Sequence, residues 1–192
     1  MKKLVFASNN PNKVKEVATQ LGSQFEIVSL KQAGIEEDIP ETQQNLEGNA
    51  RQKAHFIKDK YDFDCFADDT GLEVKALDGE PGVLSARYAG SDRDSEANMD
   101  KVLKRLEGKI DRSAQFRTAI CLILNGEEHL FEGVAVGSIR EKRSGSEGFG
   151  YDPIFEPKGY DITFAEMDIA QKNEISHRGK AVAKLVEFLT NQ

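Results

Sequence analysis

The stretch Phe66-Ala67-Asp68-Asp69-Thr70-Gly71-Leu72 holds the densest chemistry in the chain. A short apolar run, Cys65 to Ala67, stops at two adjacent carboxylates, and an extended run resumes at Leu72-Glu73-Val74. The pattern predicts a strand that ends at the acids, with a turn at Gly71. Neighbouring carboxylates repel each other, so the arrangement is costly unless a cation or a shared proton offsets it. Hard oxygen ligands with a hydroxyl beside them suit Mg²⁺ better than zinc. A solvated Asp-Asp turn is the other reading, since Asp and Gly are common turn residues.

Other stretches carry groups with a chemical use. Ser8, Asn9, Asn10, Pro11, Asn12 and Lys13 stand between a predicted strand and a predicted helix. Free backbone amides and a first-turn lysine in that position suit an anion. A cation there opposes the helix dipole, so Lys13 either has a reason to be tolerated or is simply solvated. The stretch is not a P-loop, because the glycines are absent. Asn49 and Lys53 are four apart and share one helix face; taken alone, an exposed polar face is the simpler account. Glu41 follows Pro40 and precedes that helix, which makes it the acid of its loop best placed to be held in position.

Arg87 lies in Ser85-Ala86-Arg87-Tyr88, among apolar neighbours. Such an arginine is usually paired with a carboxylate or a phosphate, in a binding or a structural role. Residues 143–151 hold Gly145, Gly148 and Gly150 with Phe149 and Tyr151, followed by Asp152 and Pro153. The spacing is not the dinucleotide fingerprint. Rings on a glycine-rich loop suit a flat ligand, because stacking is worth roughly 1–3 kcal/mol per base; alternatively, one ring seals the core while the glycines make turns. Finally, His177, Arg178 and Lys180 crowd a helix start capped by Ser176. The helix dipole disfavours cations there, which suggests an anionic partner or else a solvated basic turn.

The elements that would position these groups alternate between the two structural types. Leu4 to Ala7 reads as a buried strand, and Val14, Val17, Ala18 and Leu21 form a helical stripe. Asn10 fits its N-cap, Pro11 its first position and Gly22 its end. Phe25 to Leu30 reads as a second strand, and a helix is expected over roughly 45–58 with Leu46, Ala50, Ala54 and Ile57 inward. Met99, Val102, Leu103 and Leu106 mark another helix, capped near Asp94 or Ser95. Two extended runs flank Asn125-Gly126, a strong hairpin signal. Val182, Leu185, Val186 and Leu189 give the last helix its stripe.

Composition limits the function classes. The 192 residues can bury a real core, as one large domain or two small lobes. A net charge of −7 argues against broad binding to nucleic acid or anionic membrane, which needs a basic field. Cys65 and Cys121 sit in apolar runs without metal-ligand spacing, so two buried thiols in a reducing compartment are expected. No run approaches transmembrane length or a signal-peptide core, and a cytoplasmic protein is the default.

Taken together, these stretches resemble the inosine triphosphate pyrophosphatase (Ham1-like) family. The matching segments are Ser8 to Lys13, Gly48-Asn49-Ala50 with Lys53-Ala54, Ala67 to Leu72, Pro81-Gly82 with Ser85 to Tyr88, Phe149 to Pro153, and Lys172 with Ser176 to Gly179. They fall in order across nearly the whole chain. Many members carry Thr-Gly-Asn where this chain has Ser8-Asn9-Asn10. Asn is the best non-glycine substitute where a positive φ is needed.

The resemblance implies an α/β fold with a mixed, twisted central sheet flanked by helices, in two lobes around a substrate cleft, formed by residues 1–192 as a single domain. It also implies a homodimer, Mg²⁺, and hydrolysis of ITP, dITP and XTP to the monophosphate and pyrophosphate. That activity keeps deaminated purines out of nucleic acid. Carried over by position, Ser8, Asn9, Asn10 and Lys13 would bind the triphosphate, with Asn49, Lys53 and Thr70 also contacting substrate. Glu41, Asp68 and Asp69 would hold the metal, and Asp69 would accept the proton of the attacking water. Phe149, Gly150, Tyr151, Asp152, Lys172, His177 and Arg178 would hold the base and complete the phosphate contacts. Rival readings are a related pyrophosphatase for other modified nucleotides, and a nucleotide-binding regulatory module without turnover.

Overall fold

The computed structural model describes residues 2–21 and 25–191. The expected helix stop at Gly22 lies outside them. The elements in order are β1 (Lys2–Phe6), α1 (Pro11–Leu21), β2 (Phe25–Ser29), α2 (Leu46–Tyr61), β3 (Cys65–Val74), α3 (Ser95–Arg105), β4 (Ser113–Leu124), β5 (Glu127–Ile139), β6 (Phe155–Pro157), α4 (Ile169–Ile175) and α5 (His177–Thr190). The strands form one mixed sheet in the order β2-β1-β3-β4-β5-β6. β1 runs parallel to β2 and to β3, and β5 runs antiparallel to β6. Asn125 and Gly126 both take positive φ, which matches the twist of the two strands they join.

The chain divides into two compact units. The first comprises the chain up to Asp69, Thr118–Gly133, and the chain from Arg178 onward. Its core packs Leu4, Phe6 and Phe66 against Val17 and Leu21 of α1 and Val182, Leu185 and Leu189 of α5. Phe6 and Phe66 stack at 4.6 Å. The second comprises Thr70–Arg117 and Val134–His177. Its core gathers Leu72, Val74, Met99, Val102, Phe116, Ile139, Phe155 and Phe164.

Two expectations change. β3 does not end at the acids: it runs unbroken from Cys65 to Val74, and Gly71 is a buried strand residue, not a turn. The carboxylates of Asp68 and Asp69 can lie inside a buried strand because cations and an amide compensate them, as described below. On α1, Ala18 is exposed, whereas Glu16 is buried. The apolar stripe misses this because Glu16 meets a buried arginine. The short α4, between Asp168 and Ser176, was not anticipated either; Asp168 caps it by accepting from the Gln171 amide.

Candidate active site

In the first unit, the end of its β3 segment meets α1, α2 and the start of α5. Lys13 reaches from the first turn of α1 to Asp68, with Nζ 2.9 Å from Oδ1. Arg178, at the start of α5, donates from Nε to Asp68 Oδ2 at 3.1 Å and from a terminal nitrogen to Glu16 Oε2 at 2.5 Å. Arg178, Asp68 and Glu16 are all buried. The lysine in the first turn of α1 and the arginine at the start of α5 therefore have anionic partners within the chain. Both positions oppose a helix dipole, and both are neutralised by the same carboxylate.

Asp69 is held differently. Its Oδ2 accepts from Asn49 Nδ2 at 2.9 Å, and its Oδ1 lies 3.8 Å from Lys53 Nζ. Asn49 also accepts from the Gln43 amide through Oδ1, so one buried side chain orients both the carboxylate and the loop that carries Glu41. Gln52 fastens the same loop by bonding both the amide and the hydroxyl of Thr42. The loop thus delivers Glu41 Oε1 to within 2.6 Å of Lys53 Nζ, which also donates to the backbone oxygen of Asp68 at 2.7 Å. Gly48 permits this packing: a Cβ there would stand 2.8 Å from Gln43 Cβ and 2.9 Å from the capping oxygen of Asn45. Asn49 and Lys53 do share a helix face, but that face is buried, not solvated.

The adjacent carboxylates are electrostatically unlike. Burial pushes Asp68 up, but Lys13, Arg178 and Lys53 outweigh it and hold the group far below the usual carboxylate range. Burial dominates at Asp69 and raises it, only partly offset by Lys53, Lys13 and the Asn49 amide. Burial lowers Lys13, reinforced by the like charges of Lys53 and Arg178, even with Asp68 beside it. Lys53 is raised: Asp69, Glu41 and Asp68 together overcome its burial. The pair of acids is therefore poised with one member firmly ionised and the other biased toward holding a proton.

The loop before α1 is not a row of open amides. Asn10 Oδ1 accepts from the amides of Asn12 and Lys13, Ser8 Oγ accepts from the Asn10 amide, and the Ser8 amide donates to the Phe6 carbonyl. Asn9 is exposed and Ser8 half-buried beside it.

In the second unit, the glycine-rich loop closes on Asp152. Asp152 Oδ2 accepts from the Phe149 amide at 2.8 Å and from Lys172 Nζ at 2.6 Å. Lys172 also sits 5.0 Å from the centre of the half-buried Phe149 ring. Gly148 (φ +72°) and Gly150 (φ +63°) supply the left-handed turns of this loop. Tyr151 is buried in the core and donates its hydroxyl to the Ser85 carbonyl at 2.6 Å. His177 is buried and stacks on Phe116 at 4.5 Å. Thr70 is half-buried on β3, and Arg87 is half-buried in a 3₁₀ segment over Gly82–Arg87.

Each unit thus gathers a subset of the expected residues: Lys13, Glu41, Asn49, Lys53, Asp68, Asp69 and Arg178 in one, and Phe149, Gly150, Asp152 and Lys172 in the other. The expected metal set of Glu41, Asp68 and Asp69 is not assembled as such. Among the described residues, no three His, Cys, Asp or Glu side chains are gathered closely enough to hold an ion. The reason is that ammonium and guanidinium groups occupy the approaches to these oxygens. Glu16 was missed altogether. Its signal was a lone acid next to Val17 inside the apolar stripe of α1.

The fold is a mixed α/β sheet with buried acids on one strand paired to a lysine and an arginine at helix starts. The chain belongs to the Ham1 family, whose model matches residues 4–188. It is 54% identical over 188 residues to a dITP/XTP pyrophosphatase of Flavobacterium psychrophilum, covering 98% of this chain and 99% of that one. It is 52% identical over 190 residues to the dITP/XTP pyrophosphatase of Porphyromonas gingivalis, with 98% of each covered. Its fold matches the Ham1 protein of Staphylococcus aureus with a TM-score of 0.90 at 38% identity, over 99% of both chains. It also matches a HAM1 protein from Coxiella burnetii with a TM-score of 0.91 at 36% identity, over the full length of both.

Proposed function

We propose that this chain is a nucleoside triphosphate pyrophosphatase that hydrolyses dITP, XTP and ITP to the monophosphate and pyrophosphate, with Asp69 as proton acceptor. The observation that carries the mechanism is the split between Asp68 and Asp69. Asp68 stays ionised and anchors Lys13 and Arg178, while Asp69 is raised by burial and held at one oxygen by the neutral Asn49 amide. A raised carboxyl is the better base for a water proton, because its affinity for the proton is closer to that of the species it must deprotonate. Lys13 and Lys53 would turn toward the charge that develops on the pyrophosphate leaving group.

The oxygens of Glu41, Asp68 and Asp69 have the chemistry of a Mg²⁺ site. The Lys53 ammonium lies 2.6 Å from Glu41 and 3.8 Å from Asp69, so it would have to withdraw for an ion to take its place beside these two acids. When bound, the ion would neutralise phosphate oxygens and lower the barrier to attack by water. In the second unit, Asp152 holds Lys172 and the Phe149 amide in place, which prepares the loop to receive a base beside the Phe149 ring. Stacking alone cannot reject ATP, because every base has a π-face. Donors facing the 6-oxo group can, since a 6-amino group leaves them unpaired at roughly 1–3 kcal/mol each.

The same reading has residues 1–192 act as one domain, as a homodimer and in the cytoplasm. Among the described residues, no helix is long and apolar enough to cross a membrane. The deciding experiment is pyrophosphate release from ITP, XTP, ATP, GTP and dTTP, with Mg²⁺ and with EDTA. Mg²⁺-dependent turnover of ITP and XTP with little loss of ATP is expected. Preference for dTTP would indicate a related pyrophosphatase, and ITP binding without turnover in any metal would indicate a regulatory module.

A further inference from the structure

Ser85 lies outside the set of groups expected to meet substrate, yet it is buried and uses its polar atoms in three directions within the second unit. Its Oγ accepts from the Leu72 amide at 2.9 Å and donates to the Gly82 carbonyl at 2.6 Å. Its carbonyl accepts from the Tyr151 hydroxyl at 2.6 Å. Leu72 is two residues past Thr70 on β3, and Tyr151 stands between Gly150 and Asp152. The segment that carries Ser85 is itself fixed from α3. Asn98, also buried, donates to the Ala86 carbonyl at 3.1 Å and accepts from the Ala89 amide at 2.6 Å.

From this geometry we infer that Ser85 is a positioning residue that sets the Thr70–Leu72 strand segment against the Gly150–Asp152 loop. A buried serine bonded only to its own turn would explain the contact to Gly82 and nothing more. The contacts to Leu72 and Tyr151 reach instead to two separate elements: Leu72 stands two residues past Thr70, and Tyr151 lies within the loop expected to hold the base. A hydroxyl can satisfy both Leu72 and Gly82 because it donates once and accepts as well. A methyl group in its place leaves both without that partner. The inference rests on the proposed nucleotide hydrolysis, because it assigns Ser85 to the binding side of that reaction.

The test compares Ser85→Ala, Ser85→Thr and Tyr151→Phe with the wild-type chain, measuring kcat and KM for ITP and ATP alongside thermal unfolding. Loss of positioning without loss of the reacting groups removes binding common to ground and transition states, so KM for ITP should rise about tenfold while kcat stays within about twofold. The preference for ITP over ATP should narrow in Ser85→Ala and recover in Ser85→Thr, which keeps the hydroxyl. Tyr151→Phe should move KM in the same direction, and it decides the matter if Ser85→Ala does not fold. Wild-type KM and selectivity in both Ser85→Ala and Tyr151→Phe, with only lower unfolding temperatures, would overturn the inference. A fall in kcat and kcat/KM together, unrescued by Thr, would overturn it as well. Absence of ITP turnover in the wild-type chain would overturn the functional reading, and this inference with it.

Discussion

Lys13 Nζ and Asp68 Oδ1 are 2.9 Å apart, with the lysine side chain 16% exposed and the aspartate 2%. The contact ties the first turn of α1 to β3 and puts a cation where the helix dipole alone would disfavour one. A site built this way depends on the ionisation of its acids, so its stability has a defined acid limb. Asp68 has a folded-state pKa below its ordinary 3.8, so its contribution is fully present above about pH 4 and is lost as pH falls through the depressed value. Asp69 is raised above 3.8 and has the opposite sign: its contribution is full below that pH and is lost as pH rises through the raised value. Urea unfolding followed from pH 7 downward should show Asp68→Asn losing the steepest part of the acid limb. Asp69→Asn should instead be as stable as wild type, or more so, at neutral pH. Equal pH profiles for the two variants would contradict the assigned split.

The same split predicts a kinetic difference. Asp69→Asn keeps the bond geometry to Asn49 but cannot take a proton. Turnover of ITP with Mg²⁺ should fall by about 10²–10⁴-fold, the usual weight of a general base, while ITP binding persists. In the wild-type chain, kcat/KM should rise with pH through a value above 3.8, set by the raised Asp69. A variant that binds and still turns over at the wild-type rate would remove Asp69 from the mechanism.

Much of this arrangement was legible in the residues before any coordinates. Val17 and Leu21 of the α1 stripe, the Asn10 cap, the Asn125-Gly126 hairpin and the acidic pair all follow from local periodicity and turn chemistry, whereas Ala18 of that stripe is exposed. What was not legible depends on partners distant in sequence. Gly71 reads as a turn until Lys13, Lys53 and Arg178 are known to compensate the acids, which lets the strand continue. Beyond its place beside Val17, Glu16 carries no local signal of its burial, because its partner Arg178 lies 162 positions away. Tyr151 reads equally as a stacking ring or a core ring, and only the Ser85 carbonyl distinguishes its hydroxyl's role.

Glu16 and Arg178 provide a stability prediction. Both are buried, and Arg178 is held further above its ordinary range by Glu16 and Asp68 in spite of burial. Removing Glu16 leaves buried Arg178 only Asp68, which it shares with Lys13, so the cost should approach but not exceed the about 3–5 kcal/mol of breaking an isolated buried pair. Glu16→Gln should lower the urea midpoint accordingly. As a control, the Lys58–Asp62 pair has a similar distance of 2.7 Å, but its aspartate is 90% exposed. Asp62→Asn should leave the midpoint unchanged, because exposed pairs contribute little. Equal effects of the two substitutions would mean that Glu16 is not load-carrying in the folded state.

Gly148 provides the sharpest probe of the base loop. Its φ is +72°, and a Cβ built there would lie 2.1 Å from Asp152 Oδ2, the oxygen that holds Lys172 and the Phe149 amide. Gly148→Ala therefore cannot be accommodated without moving that carboxylate, and the left-handed backbone adds strain of its own. Asp152→Ala removes the same anchor from the other side. Both variants should keep the wild-type response to EDTA, because neither touches the acids of β3. Both should lose much of the preference for ITP over ATP, with the loss appearing mainly in KM. The pair of variants separates two roles for Asp152. If it acts by holding the loop, Gly148→Ala should reproduce the loss of selectivity with the carboxylate still present. If it acts only by direct contact with the base, Gly148→Ala should be much milder than Asp152→Ala. Unchanged selectivity in both would remove this loop from base recognition altogether.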